Sequence, residues 1–224
     1  DSSSGAGRVG YFAGCMTLLT PNTMNAMSRI FEAAREQVWW ADKEGGVCCG
    51  RPMMLTGEID SARKMMKFNK ELFAKHNITT LVTSCPICLK VFREEYNLEG
   101  IEVLHHSEYI ERLLRNGRLV LQKGVANYTY HDPCELGRGG GIYDAPRTVI
   151  EAVGALVEAE HNRRDSLCCG SSLANTVIND ASQLRIASAL TEELERTGAD
   201  SIVTACPLCK KALSRTAKER VYDL

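Results

Sequence analysis

Ten cysteines could do chemistry in this chain: Cys15, Cys48, Cys49, Cys85 and Cys88, then Cys134, Cys168, Cys169, Cys206 and Cys209. The second five copy the first at offsets of 119, 120 and 121 residues, and no cysteine falls outside the pattern. Thiolates are soft donors that select zinc, copper(I) or iron-sulfur clusters over hard cations. A structural zinc takes four ligands and would leave a fifth sulfur unused in each set. Ordinary iron-sulfur clusters also take four, usually crowded into one short loop. Here the gaps are 32 and 35 residues in the first set and 33 and 36 in the second. The adjacent pairs Cys48-Cys49 and Cys168-Cys169 aim two sulfurs at one target, which suits a polynuclear centre better than a single ion. Three other readings stand beside it: structural zinc, disulfides formed on oxidation, and low-pKa thiols at the thioredoxin-like Cys-Pro-x-Cys. A regulatory iron-sulfur sensor would use the same donors, but no effector surface is legible.

The elements that must position these sulfurs repeat with them. Gly50 matches Gly170, Thr56 matches Thr176, Asp60 matches Asp180, Val82-Thr83 matches Val203-Thr204 and Pro86 matches Pro207. Val9 to Ala13 and Tyr128 to Tyr130 read as strands running into the first cysteine of each half. Pro21 opens a helix with Met24, Met27, Ile30, Phe31 and Ala34 on one face, and Ala145-Pro146 opens its counterpart with Val149, Ile150 and Val153 inward. A short strand is expected after each. Asp60 and Asp180 are expected as N-caps of helices over 62–75 and 181–196, with Gly198 ending the second. Leu81 to Thr83 and Ile202 to Thr204 then lead as strands into Cys-Pro-x-Cys. Strands alternating with helices of this length predict an α/β fold of two tandem repeats, each a small parallel sheet flanked by helices. The cysteines then collect at the carboxyl ends of the strands, where open parallel sheets form their sites.

The expected organisation is a tag remnant or linker over 1–7, one cysteine-rich domain over 8–118 and a second over 119–224, with a seam in 115–127. Tyr222 to Leu224 falls opposite Ile101 to Val103 at an offset of 121. The first half continues into a helix over 108–114, whereas the second stops, which reads as a piece of a longer chain.

Composition narrows the function. Twenty-seven Lys and Arg against 28 Asp and Glu give a net charge of −1, so no basic stripe marks a nucleic-acid or lipid-surface partner. No apolar run is long enough to span a bilayer, and residues 1–7 lack the features of a signal peptide. A cytoplasmic location, possibly peripheral to a membrane complex, is the expectation. Gly139-Gly140-Gly141 is not a phosphate loop, because no Lys-Ser or Lys-Thr follows it; it reads as backbone passing close to a cluster or partner. No flavin or nucleotide site is expected in this chain.

Cys, a gap in the thirties, Cys-Cys-Gly, a second such gap and Cys-Pro-x-Cys resemble the duplicated cysteine-rich CCG domain found in the B-type chain of heterodisulfide reductase. The same domain occurs in the iron-sulfur subunits of anaerobic glycerol-3-phosphate dehydrogenase and of glycolate and lactate oxidases. His131-Asp132-Pro133-Cys134-Glu135-Leu136-Gly137-Arg138 is most similar to the glycerol-3-phosphate dehydrogenase and heterodisulfide reductase D-type proteins. The resemblance covers essentially the whole chain after residue 7. It implies that each five-cysteine set binds one noncubane [4Fe-4S] cluster, two per chain, and that the chain reduces a disulfide by one-electron steps. It also implies an alternative, a non-catalytic relay from a flavoprotein to a quinone or other carrier. Such relatives carry an upstream ferredoxin-like segment absent here, so a ferredoxin-like segment or subunit is expected as donor.

His131, three residues before Cys134, is the candidate catalytic residue, as proton donor to a leaving thiolate or hydrogen-bond donor to a cluster sulfur. The competing reading is local packing, since Phe12 holds the matching place in the first half. His105 and His106 read as a strand end and its cap. Lys90 and Lys211 could raise a cluster's potential or simply be exposed helix residues, and Arg51 and Arg138 could bind an anionic substrate. All seven methionines lie in the first 66 residues and read as core filler.

Overall fold

The computed structural model describes residues 8–172 and 178–224. The leader at 1–7 and Thr176, the expected counterpart of Thr56, lie outside the described residues. The chain divides into two compact units between Tyr109 and Ile110, nine residues ahead of the boundary read from the sequence.

In the first unit, β1 (Arg8–Phe12), α1 (Pro21–Ala33), β2 (Val38–Trp40), α2 (Arg51–Leu55), α3 (Ile59–Lys75), β3 (Ile78–Thr83), α4 (Pro86–Glu94) and β4 (Glu102–His105) follow in order, and α5 (His106–Arg115) begins at its end. The sheet order is β2-β1-β3-β4 and every pair is parallel. The second unit repeats this as β5 (Asn127–His131), α6 (Asp144–Val153), β6 (Ala155–Leu156), α7 (Asp180–Glu195), β7 (Ser201–Thr204), α8 (Pro207–Leu213) and β8 (Arg220–Asp223), with order β6-β5-β7-β8, again all parallel. The fold class is therefore the α/β tandem repeat that the strand and helix punctuation predicts.

The strand order decides where a site can form. The first strand of each unit has neighbours reached by crossovers in opposite directions, so β1/β3 and β5/β7 are the switch points at whose carboxyl ends a crevice opens. Cys15 and Cys134 follow one strand of each pair, and Cys85 and Cys206 follow the other.

The two cores are built differently. The first unit packs aromatic rings edge to face, with Tyr11 and Trp40 4.9 Å apart and Phe12 and Phe92 4.8 Å apart. The second unit surrounds Cys169, Cys206 and Cys209 with Leu190, Leu194, Ile202 and Leu213. On α1, Met27, Phe31 and the following Ala34 are buried, while Met24 and Ile30 are half-buried. Met27 is the one fully buried methionine of the seven, so the others line half-exposed surfaces and the core-filler reading holds for that one alone.

Several local expectations shift. Asp60 and Asp180 are not caps: Glu58 and Asn179 hold those positions, and the Asn179 side chain accepts from the Ser182 backbone N–H at 2.9 Å. Both aspartates sit in the first helical turn, where a carboxylate is favoured by the helix dipole. Gly198 follows the end of α7 with φ +70 and donates to the Glu195 carbonyl, as expected. The last strands align three residues away from the sequence match. Leu81 pairs with Val103, and its equivalent Ile202 pairs with Val221, an offset of 118. The cause is a last helix two residues shorter, seven in α8 against nine in α4, followed by a loop one residue shorter.

Candidate functional site

Each unit brings its five cysteines to the carboxyl end of its sheet. In the first, Cys15 occupies the turn after β1 and Cys48-Cys49 precede α2. Cys85 is the N-cap of α4 and Cys88 lies in its first turn. Cys15 and Cys48 are within hydrogen-bonding reach of each other, and Cys88 reaches both Cys49 and Cys85. The second unit forms a continuous chain of such contacts, Cys134 to Cys168 to Cys169 to Cys209 to Cys206. All ten are free thiols.

So many thiols in one place cannot ionise together without a cation. Hydrogen bonding to Cys48 raises the Cys15 thiol, and the Cys15 thiol in turn lowers Cys48. Contacts with Cys49 and Cys85, then burial, raise Cys88. The second unit shows the same split, with Cys134 and Cys209 raised and Cys168 lowered by neighbouring thiols. Bound metal relieves this repulsion, and the N-termini of α4 and α8 favour the thiolates of Cys85, Cys88, Cys206 and Cys209.

Geometry distinguishes one ion from several. Four thiolates around one zinc at about 2.3 Å lie about 3.8 Å apart. Among the described residues, no three cysteine sulfurs fall within 4.8 Å of one another. The sulfurs of each site are linked as neighbouring pairs, and in the second unit His131, Cys169 and Cys209 form a group whose three ligand atoms could hold an ion.

The Cys-Cys-Gly turns have a clear backbone cause. Gly50 and Gly170 adopt φ +92 and +76, the left-handed region that glycine enters without strain. This turns their N–H groups back to the Cys48 and Cys168 sulfurs at 3.4 Å. A Cβ on Gly170 would also lie 2.9 Å from the Gln183 carbonyl, whereas at Gly50 the nearest atom is 3.7 Å away. Gly170→Ala is therefore expected to cost about 1–3 kcal/mol of backbone strain plus a clash, and Gly50→Ala the strain alone. Denaturant unfolding of the two variants should rank them in that order.

The structure adds supports that sequence reading missed. In the first unit the Asn69 amide donates to the Cys48 carbonyl and to the Tyr96 hydroxyl, both at 2.8 Å, and that hydroxyl donates to the Cys49 carbonyl at 3.0 Å. A buried asparagine on the face of α3 that carries Ala62, Leu72 and Phe73 was the available signal. In the second unit the support is ionic. Asp132 accepts both Arg147 Nη atoms at 2.8 Å and the Arg163 backbone N–H at 2.7 Å, and Arg147 also bonds Glu158.

His131 ends β5 and is 1% exposed. Its Nδ1 is 3.4 Å from the Ser166 hydroxyl, and its Nε2 is buried without a hydrogen-bond partner among the described residues. A ring nitrogen of His131 lies within 4.8 Å of the Cys169 and Cys209 sulfurs. Burial pushes its pKa down to about 4, so the ring is neutral near pH 7.

Other candidates have duller roles. Arg138 is tied to a neighbouring loop: its Nη1 donates to the Arg164 and Ser166 carbonyls at 3.0 and 2.7 Å. Close approach at Gly139 and Gly140 is to the Glu135 and Leu136 carbonyls of the same loop. Arg51 begins α2, Lys90 lies half-buried on α4 and Lys211 lies exposed on α8. His105 ends β4 and His106 begins α5, both fully buried. Among the described residues, no helix is long and apolar enough to cross a membrane.

A duplicated parallel unit with five thiols at each switch point defines a class, the cysteine-rich iron-sulfur domains. The chain belongs to the CCG cysteine-rich domain family, which matches it twice, over residues 9–93 and 128–214. It is 27% identical over 222 residues to the D chain of dihydromethanophenazine:CoB–CoM heterodisulfide reductase from Methanosarcina acetivorans, covering 91% of this chain and 52% of that one. It is 28% identical to the B chain of fumarate reductase (CoM/CoB) from Methanothermobacter marburgensis, over 91% of this chain and 41% of the other. With EtfAB:quinone oxidoreductase of Syntrophomonas wolfei the identity is 31%, over 79% and 27% respectively. The chain thus spans about half the length, or less, of these curated relatives. It is an iron-sulfur redox module of the kind found in oxidoreductase subunits.

Proposed function

We propose that each quintet of cysteines holds one noncubane [4Fe-4S] cluster and that the chain is the electron-handling part of a multisubunit oxidoreductase that reduces a disulfide. The observation that carries this reading is the convergence of five thiols at the carboxyl end of each sheet, twice, linked sulfur to sulfur. Bound there, such a cluster supplies electrons one at a time to a disulfide sulfur. The residues of the chain do the rest. Helix N-termini at Cys85 and Cys206 favour thiolates, the left-handed Gly50 and Gly170 aim backbone N–H groups at sulfur, and buried aliphatic side chains around Cys169, Cys206 and Cys209 exclude water. Half-exposed Cys15, Cys48 and Cys134 and exposed Cys168 leave each site an open side for a substrate.

The electrons would come from a ferredoxin-like iron-sulfur segment or subunit fed by a flavoprotein, at the cytoplasmic side of a membrane complex or free of it. A relay to quinone is the second reading, favoured by the similarity to an EtfAB:quinone oxidoreductase. Paramagnetic resonance of the oxidised protein, with and without added thiol, separates the two. A new signal on thiol addition is the expected result for a centre whose cysteines would hold a cluster open to the product thiol. A spectrum unchanged by thiol overturns disulfide reduction and leaves the relay.

A further inference from the structure

The two sites are not equivalent, and one of the differences lies at the end of the first strand of each unit. Where the second unit has His131 at the end of β5, the first has Phe12 at the end of β1. Phe12 is fully buried and packs edge-on against Phe73 and Phe92. It offers sulfur nothing but hydrocarbon. His131 is equally buried but sets a ring nitrogen within 4.8 Å of the Cys169 and Cys209 sulfurs. The hydroxyl beside its Nδ1 is also particular to the second unit: Ser166 falls opposite Gly46, which has no side chain, at the 120-residue offset.

We propose that His131 donates its Nε2–H to the sulfur face of the C-terminal centre, with Nδ1 accepting from the Ser166 hydroxyl, and so holds that centre at a higher reduction potential than the N-terminal one. The proposal rests on the iron-sulfur reading above. A neutral imidazole has one N–H, and a hydroxyl donating to Nδ1 places it on Nε2. Nε2 is a buried polar atom without a partner among the described residues, an arrangement that costs free energy unless something accepts from it. Five thiolates already supply the ligand count of one cluster, so the acceptor is sulfur rather than the metal. Hydrogen bonds to cluster sulfurs stabilise the reduced, more negative state and raise the potential. The consequence is order: on reduction the C-terminal centre takes its electron at a higher potential than the N-terminal one. His131 is a positioning residue in this account, acting on the potential rather than on the substrate.

The test begins with iron and sulfide content of the reconstituted full chain, which decides the cluster reading by itself. Potentiometric titration followed by paramagnetic resonance then compares wild type with His131→Phe, which copies the first repeat. Two separate reduction waves are expected in the wild type. In His131→Phe the higher wave should drop by at least tenfold in its one-electron equilibrium constant, about 59 mV, with iron content and the lower wave unchanged. An unmoved higher wave overturns the proposal, as does an equal shift of both waves. Loss of half the iron from His131→Phe also overturns it, by making His131 a ligand or a packing residue. Wild-type protein carrying 15N-histidine gives an independent check that needs no variant: pulsed resonance on the reduced centre should show a weak nitrogen coupling typical of N–H···S. A strong coupling typical of a direct ligand, or none, sinks the hydrogen bond.

Discussion

Protein reconstituted with iron and sulfide without air is expected to bind about eight iron and eight acid-labile sulfide per chain, and Cys209→Ser about half of each. Cys209 bridges two other sulfurs of the second centre, as Cys168 and Cys169 also do. It is buried in the first turn of α8, within reach of Cys169 on one side and Cys206 on the other. A serine hydroxyl is a hard donor that stays protonated near neutrality, so the variant removes a soft anionic ligand from between two others. The N-terminal five belong to a separate compact unit with its own backbone supports at Asn69 and Tyr96, and they should keep their metal. Colorimetric iron and sulfide on gel-filtered protein reads the outcome directly. Full occupancy in Cys209→Ser would remove that cysteine from the ligand set. Zinc in place of iron in the unsubstituted protein would end the redox reading altogether.

The parts of this site legible in the sequence are those encoded locally. A strand of alternating or apolar residues, a Cys-Pro that caps a helix, and a glycine after a cysteine pair are each written within a few positions. The 120-residue repeat shows that the pattern is architectural, so the placing of the cysteines at strand ends can be read before the fold. What fails is set by non-local geometry. The β8 alignment slips by three residues because α8 and the loop after it are together three residues shorter than α4 and its loop, and sequence offset carries no information on sheet register. The bonds of Arg138 are equally non-local: the carbonyls to which its Nη1 donates, at Arg164 and Ser166, lie 26 and 28 positions away. Asp60 and Asp180 fall inside their helices rather than at the caps, since an acidic residue is welcome both as a cap and in the first turn. The closeness of His131 to Cys169 and Cys209 requires the fold of the whole second unit.

Arg147→Met is expected to destabilise the second unit by about 3–5 kcal/mol, the cost of leaving a buried charge without its partner. The guanidinium is 6% exposed and bidentate to Asp132, whose side chain is 2% exposed. With Met at 147, Asp132 keeps only the Arg163 N–H, while Glu158, 35% exposed, turns to water. The penalty therefore lies in the aspartate, and Asp132→Asn combined with Arg147→Met should recover a large part of it. A loss of that size lowers the midpoint of a unit of roughly 100 residues by more than about 12 °C. The two units can be followed separately. Both tryptophans, Trp39 and Trp40, belong to the first unit, so their fluorescence transition should stay in place while a second transition in far-ultraviolet circular dichroism moves down. Because Asp132 stands two residues before Cys134, the same variant should load its C-terminal centre less completely than its N-terminal one. If the double variant is no more stable than Arg147→Met, the buried charge is not the source of the loss and the packing of Arg147 over the Tyr130 ring, 5.2 Å from its centre, carries it instead.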